Sequence, residues 1–150
     1  MTGRPRTARL AAAFITSAAL FVPIQAATTA HAAAISGWQT VHLAAAQRGK
    51  PYRYGAAGPR AFDCSGLVKY VLGRQHKRLP RTAAQQYRAT RHLSRSQARA
   101  GDLVFFMSRG HVYHVGIYAG GGKVWHAPRP GQRVKLVRIW TSHWVGGRVR

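Results

Sequence analysis

Apolar residues recur every three or four positions in the first half of the chain, which is the spacing of a helix that buries one face. One such stretch runs from Trp38 to Ala45. Ser36 can cap this predicted helix, and the Gly49-Lys50-Pro51 run stops it. A shorter helix is predicted to open at Thr82 and to continue through Tyr87.

The clearest predicted helix begins at Cys64. Asp63, directly before it, is a good N-cap, and Gly73 ends the helix. Its apolar stripe consists of Leu67, Val68, Val71 and Leu72. Residues 51–62, which precede the cap, are rich in glycine and proline and are therefore predicted to form a loop without regular structure.

In the last third of the chain the pattern changes from helical to strand-like. Residues 103–107 form a compact apolar run, and 112–119 form a second one. The glycine triplet 120–122 predicts a tight turn that returns the chain through 123–127 as a β-hairpin. Residues 133–140 alternate basic with apolar side chains, as a half-exposed strand does. Helices followed by an antiparallel meander predict an α+β fold.

The N-terminus has the pattern of a secretory signal. Three arginines precede an alanine-rich apolar stretch over residues 10–27, and the small-x-small tripeptide Ala30-His31-Ala32 follows. We predict a cleaved signal over residues 1–32 and one domain over 33–150, secreted and extracellular or associated with the cell wall, with no membrane span. An uncleaved N-terminal anchor is the alternative, but Thr16, Ser17 and Pro23 interrupt the apolar run.

The chain is strongly basic, with 24 Lys and Arg residues against two acidic ones and a formal net charge of +22. Such a protein is expected among anions, and charge alone allows acidic wall polymers, phospholipid head groups or nucleic acid. No nucleic-acid recognition motif is present, so no specific nucleic-acid partner is predicted. A solvated basic surface that only keeps the protein soluble is the alternative.

Cys64 is the only cysteine, so no disulfide can form within the chain, and an unpaired cysteine in an exported protein is a candidate reactive thiol. At a helix N-terminus the dipole and the unpaired N–H groups favour the thiolate, so partial ionisation at neutral pH is expected. The alternative is an inert, small core residue.

Two histidines of the predicted hairpin can complete a catalytic set. His114 and His126 lie almost symmetrically about the glycine turn and should face each other on neighbouring strands. In that arrangement Cys64 is the nucleophile, His114 the base and His126 the group that orients the base. Structural histidines are the alternative. A zinc site is not favoured because a close ligand pair and a fourth ligand are lacking, and no metal or other cofactor is predicted.

These residues stand in blocks whose order and spacing resemble the NlpC-type cell-wall endopeptidases over residues 37–150. The blocks are Tyr52-Arg53-Tyr54-Gly55, Gly58-Pro59, Phe62-Asp63-Cys64-Ser65-Gly66-Leu67-Val68, Leu79-Pro80-Arg81, Gly101-Asp102-Leu103-Val104-Phe105-Phe106, His114-Val115-Gly116-Ile117-Tyr118 and His126-Ala127-Pro128.

The resemblance implies a papain-like α+β fold and a monomeric cysteine peptidase whose partners are peptidoglycan stem peptides. The bond usually cut joins the D-glutamyl γ-carboxyl to the diamino acid. Cys64, His114 and His126 match the family's nucleophile, base and third polar residue, and Tyr52 matches a tyrosine thought to stabilise the oxyanion.

The resemblance leaves several roles open. In some relatives the positions of Asp63 and Ser65 contact the amine of a terminal L-alanine, whereas simple helix capping is the alternative for Asp63. Asp102 is expected to tie down the turn that enters the strand. Tyr54-Gly55-Ala56 departs from the common Trp-Gly-Gly. A cysteine amidase or acyltransferase, or a non-catalytic cationic wall-binding protein, are alternative functions.

Overall fold

The computed structural model describes residues 37–150. The predicted signal over residues 1–32 and the capping residue Ser36 lie outside the described residues. In the described part, no helix is both long enough and apolar enough to cross a membrane.

Within residues 37–150, three α-helices precede all six strands, as the hydrophobic pattern predicts. Helix α1 covers residues 37–45, α2 runs from Cys64 to Gly73 and α3 from Ala83 to Arg88. Both predicted caps are present: the Asp63 side chain accepts from the backbone of Gly66, and Thr82 forms a capping box with Gln85. Between α1 and α2, residues 51–62 make only isolated β-bridges.

The described strands form one antiparallel sheet in the order β1-β6-β2-β3-β4-β5. Their bounds are β1 Arg91–Leu93, β2 Leu103–Ser108, β3 His111–Gly120, β4 Lys123–His126, β5 Lys135–Arg138 and β6 Trp144–Arg148. The predicted meander holds for β2 to β5. The α+β fold is confirmed.

The prediction of a simple meander is wrong for the part of the sheet on the side of β2 away from β3. There the C-terminal strand β6 lies between β2 and β1 and pairs with both. Strand β6 contains Gly146 and Gly147, which have low strand propensity and therefore give no strand signal. Close packing requires glycine here, because a Cβ on Gly147 would lie 2.4 Å from the ring of Phe105.

Helix α2 packs on β3, and this contact fixes the position of Cys64. The main core joins the apolar stripe of α2 to Val115 and Ile117 of β3, all of them fully or almost fully buried. His114 directly precedes Val115, and its ring centroid lies 5.5 Å from that of Phe106. On strand β3, the core residue Val115, which packs with α2, is therefore the direct neighbour of His114 in the chain.

Candidate active site

Cys64 is the first residue of α2, and Asp63 holds that end of the helix in place. The Asp63 backbone is extended, and its Oδ1 atom accepts from the Gly66 N–H at 2.7 Å. The Gly55 N–H, in the preceding loop, donates to Oδ2 at 2.9 Å. One carboxylate thus ties the helix of Cys64 to the loop that contains Tyr52.

Arg81 is the neighbour of Cys64 that sequence reasoning missed. Its guanidinium forms a two-pronged ion pair with the Asp63 carboxylate and donates to Ser65 Oγ at 2.9 Å. Burial alone would raise the pKa of Asp63, but the hydrogen bonds from Arg81, Gly66 and Gly55 outweigh it and hold the pKa below its usual value. Asp63 caps the helix, and its carboxylate is already occupied by cationic and backbone donors.

The Cys64 sulfur lies against strand β3, where the backbone N–H of Val115 donates toward it. The N–H groups of Ser65 and of Cys64 itself also favour the thiolate. Burial is the stronger effect, however, and together with the charge of Asp63 it raises the pKa of the Cys64 thiol. The expected partial ionisation at neutral pH is therefore not supported, because the helix end that favours the thiolate is packed into the core.

We predict that alkylation of Cys64 by iodoacetamide has a midpoint above the value of about 8.5 for an ordinary cysteine. The reason is the desolvation of the thiolate, and the measurement is the alkylation rate across a pH series. The His114→Ala variant should show nearly the same midpoint, since no resting ion pair is lost. A wild-type midpoint below 8.5 would show instead that a thiolate–imidazolium pair exists before substrate binds.

His114 and His126 are joined by a hydrogen bond between Nε2 of His114 and Nδ1 of His126, 2.9 Å apart. In the register Ile117 lies opposite Trp125, so Gly116 is opposite His126 and His114 lies on the diagonal. The two histidines therefore meet across the strands without being direct partners. A Cβ on Gly116 would lie 2.7 Å from the Trp125 carbonyl oxygen, so this glycine allows β4 to approach β3 closely.

Both imidazoles are buried, with exposed fractions of 7% for His114 and 5% for His126. Burial lowers the pKa of His114 to about 4. Burial, His114 and Lys135 lower the pKa of His126 to about 3. Both rings are therefore neutral at neutral pH, which is the state in which a histidine can accept a proton.

The six candidate site residues form two groups: Cys64, Asp63 and Ser65 at the start of α2, with Tyr52 beside them, and His114 with His126 on strands β3 and β4. Cys64 contacts β3 at Val115, the residue after His114, although among the described residues no hydrogen bond joins the thiol to His114 itself. Tyr52 is half-buried, and burial, followed by the charges of Cys64 and Asp63, raises the pKa of its phenol. Its hydroxyl is thus protonated at neutral pH and able to donate.

Asp102 ties down the turn before β2, as the sequence predicts: its Oδ2 accepts from the Arg99 N–H at 2.7 Å. Arg148 of β6 adds an unpredicted two-pronged ion pair, at 2.8 and 2.7 Å. Within residues 37–150, no group of three potential ligands is placed to hold a metal ion.

Comparison with known sequences places the same blocks in one family. The model of the NlpC/P60 family matches residues 49–149. The murein DD-endopeptidase MepH of Escherichia coli is 46% identical over 112 residues, which cover 68% of this chain and 41% of that protein. The probable endopeptidase p60 of Listeria monocytogenes is 46% identical over 104 residues, which cover 68% of this chain and 21% of that protein. The chain thus spans less than half the length of either relative.

Solved structures agree with these relatives. The NlpC/p60 domain of the peptidoglycan hydrolase SagA matches with a TM-score of 0.70 at 38% identity, covering 75% of this chain and 98% of that domain. The P60 domain of antigen MAP1204 from M. avium subspecies paratuberculosis matches with a TM-score of 0.69 at 28% identity, covering 77% of this chain and 95% of that one. In sequence and in fold, the chain belongs to the NlpC/P60 family.

Proposed function

We propose that this protein is a peptidoglycan endopeptidase that cleaves stem peptides with Cys64 as nucleophile. The observation that carries the proposal is the placement of Cys64 at the start of α2, against the residue that follows His114, with His114 hydrogen-bonded to His126 at 2.9 Å. A helix-start cysteine, a neutral base and an orienting group are the parts of a thiol hydrolase. The named endopeptidases among the relatives support the substrate class.

In the proposed reaction, His114 takes the thiol proton as sulfur attacks the scissile carbonyl. A C–S bond forms, and the carbonyl electron pair moves to oxygen. The oxyanion is stabilised by the backbone N–H of Cys64 and by the Tyr52 hydroxyl. When the oxyanion collapses, the C–N bond breaks and His114 gives its proton to the leaving amine. Water then hydrolyses the thioester, with His114 again acting as base, and the thiol is restored.

His126 has a positioning role in this scheme. When its Nδ1 atom accepts from Nε2–H of His114, the Nδ1 atom of His114 is left unprotonated and able to serve as the base. The hydrogen bond thus selects one of the two neutral tautomers of His114. Ser65 and Asp63 are proposed to contact the free amine of a substrate's terminal L-alanine, in addition to the cap that Asp63 provides for α2.

The scissile bond we propose is the one from the D-glutamyl γ-carboxyl to the diamino acid. A second candidate is a bond between two D-configured centres in a cross-link, because MepH is named a DD-endopeptidase. Purified cross-linked muropeptides distinguish the two when their products are read by mass spectrometry.

Cleavage after D-glutamate leaves a dipeptide on the glycan side, whereas cross-link cleavage returns two complete stem peptides. We expect the dipeptide product. Complete stem peptides would support the cross-link bond, and release of whole stems from glycan would identify an amidase. Products bearing a new acceptor amine would identify an acyltransferase, and no product at all would contradict an enzymatic function.

We also propose that the protein acts outside the cytoplasm, after removal of residues 1–32, and that its basic surface attracts it to anionic wall polymers. Without Arg4, Arg6 and Arg9, the remaining chain has 21 Lys and Arg residues against two acidic ones, a formal net charge of +19. This charge supports the attraction, which salt should weaken because surface charges are screened over about 8 to 10 Å.

A further inference from the structure

We infer that the cavity beside the two histidines is a binding subsite for the leaving fragment of the substrate, the part that bears free carboxylates. The cavity has a volume of about 550 Å³ and is bounded by both imidazoles, by aromatic side chains and by three cations. This inference rests on the proposed function and names the chemistry that the site recognises on one side of the scissile bond.

An exposed tryptophan forms one wall of the cavity. Trp140 is 51% exposed, yet its ring is held by stacking on Phe106, with ring centroids 4.2 Å apart and planes within 6°. The same indole lies 5.3 Å from the ring of His126 and 6.0 Å from that of His114. A fixed, solvent-facing aromatic surface beside the histidines suits the alkyl part of a diamino acid.

Three exposed cations, Arg129, Lys135 and Arg138, line the same cavity. Lys135 lies directly opposite His126 in the pairing of β4 with β5. The chain has only two acidic side chains, and these are paired elsewhere, Asp63 with Arg81 and Asp102 with Arg148. The cavity is therefore cationic with no acidic side chain of the protein to neutralise it, which is the charge pattern of a carboxylate site.

The direction of the reaction decides which fragment enters. His114 donates the proton to the leaving amine, so that amine must lie against His114, which borders the cavity. The acyl side then lies toward the start of α2, near Tyr52 and Arg81. A leaving fragment that begins with diaminopimelic acid and ends in D-alanine carries a free carboxylate at its C-terminus and, unless amidated, another on the diaminopimelic acid. Both match the cations.

Binding can be tested without turnover, in a Cys64→Ala protein. Two probes are compared. The first is the dipeptide of diaminopimelic acid and D-alanine, and the second is the same dipeptide with its C-terminal carboxylate and its free diaminopimelic carboxylate both converted to amides. The readout is the NMR shift of the Trp140 indole N–H, assigned with Trp140→Phe. We expect the acid to bind about 5- to 10-fold more tightly than the amide, the difference that one or two partly exposed charge-assisted contacts provide.

Two matched variants locate the effect. Lys135→Gln together with Arg138→Gln should reduce the preference for the acid to about twofold or less. Arg91→Gln together with Arg88→Gln removes the same charge from an exposed surface that does not line the cavity, and should keep the preference. Equal binding of acid and amide, no shift of Trp140, or an equal loss in the control pair would overturn the inference. Tight, selective binding by a protein whose wild type cleaves nothing would support the subsite and contradict only the proposed function.

Discussion

Turnover of a stem peptide is expected to fall by about 10³-fold when His114 is replaced by alanine, but only by about tenfold when His126 is replaced by asparagine. In the proposed mechanism, His114 is both the base for the thiol and the acid for the leaving amine, and alanine can serve as neither. Asparagine at position 126 offers an amide oxygen that can still accept from Nε2 of His114, the contact that measures 2.9 Å in this structure. The measurement is kcat and KM for both variants on one soluble stem peptide.

A His126→Ala variant separates orientation from mere space filling. It should lose more kcat than His126→Asn while KM changes little, because the tautomer of His114 is no longer selected. Circular dichroism must show that all three variants retain the fold. Equal and complete loss of turnover in His114→Ala and His126→Asn, with the fold intact, would show that the roles of the two histidines are assigned wrongly.

The parts of the site that the sequence predicts are those with local signals. Asp63 before an apolar stripe predicts a capped helix beginning at Cys64, and both features are present. The glycine triplet between two apolar runs predicts the hairpin that brings His114 to His126. The diagonal placement of His114 and His126 could not be predicted from the sequence. It depends on an irregularity in the register near Gly120 that the sequence does not specify.

The remaining strands could not be predicted because their signals are not local. Strand β1 has three residues, two of them exposed, and β6 is interrupted by two glycines. These strands are stabilised by pairing with each other and with β2, across more than 50 residues for β1 and β6. Tertiary pairing thus overrides weak strand propensity.

The cationic partners of the two acidic residues could not be predicted either. Each acidic side chain could pair with any of 24 cations, and sequence spacing gives no reason to choose Arg81 for Asp63 or Arg148 for Asp102. In the structure, the Asp63 carboxylate anchors the helix of Cys64, and the Asp102 carboxylate joins β6 to the turn before β2.

The sequence predicts a lowered pKa for the Cys64 thiol, and the structure indicates a raised one. A helix N-terminus is visible in sequence, whereas the burial of that end against Val115 arises only when α2 packs on β3. Desolvation then raises the pKa of Cys64 and lowers that of His114. These shifts leave the Cys64 thiol and the His114 imidazole neutral before substrate binds, so in the proposed mechanism proton transfer accompanies the attack of sulfur.

Cys64 is the nucleophile on which every step of the proposed mechanism depends. We expect Cys64→Ala to abolish the release of soluble fragments from purified sacculi, because neither His114 nor His126 can form the acyl intermediate. The substitution removes one partly buried sulfur from the helix start and leaves the Asp63 cap and its partners in place. The variant should therefore keep its circular dichroism spectrum and still sediment with sacculi.

The decisive measurement is fragment release by wild type and Cys64→Ala at equal concentration on the same sacculi, followed by mass spectrometry over several hours. We expect the wild type to release peptide fragments. The folded Cys64→Ala variant should release none above the level of the blank without protein. Fragment release by Cys64→Ala at the wild-type rate would show that the chemistry does not pass through this thiol and would contradict the account.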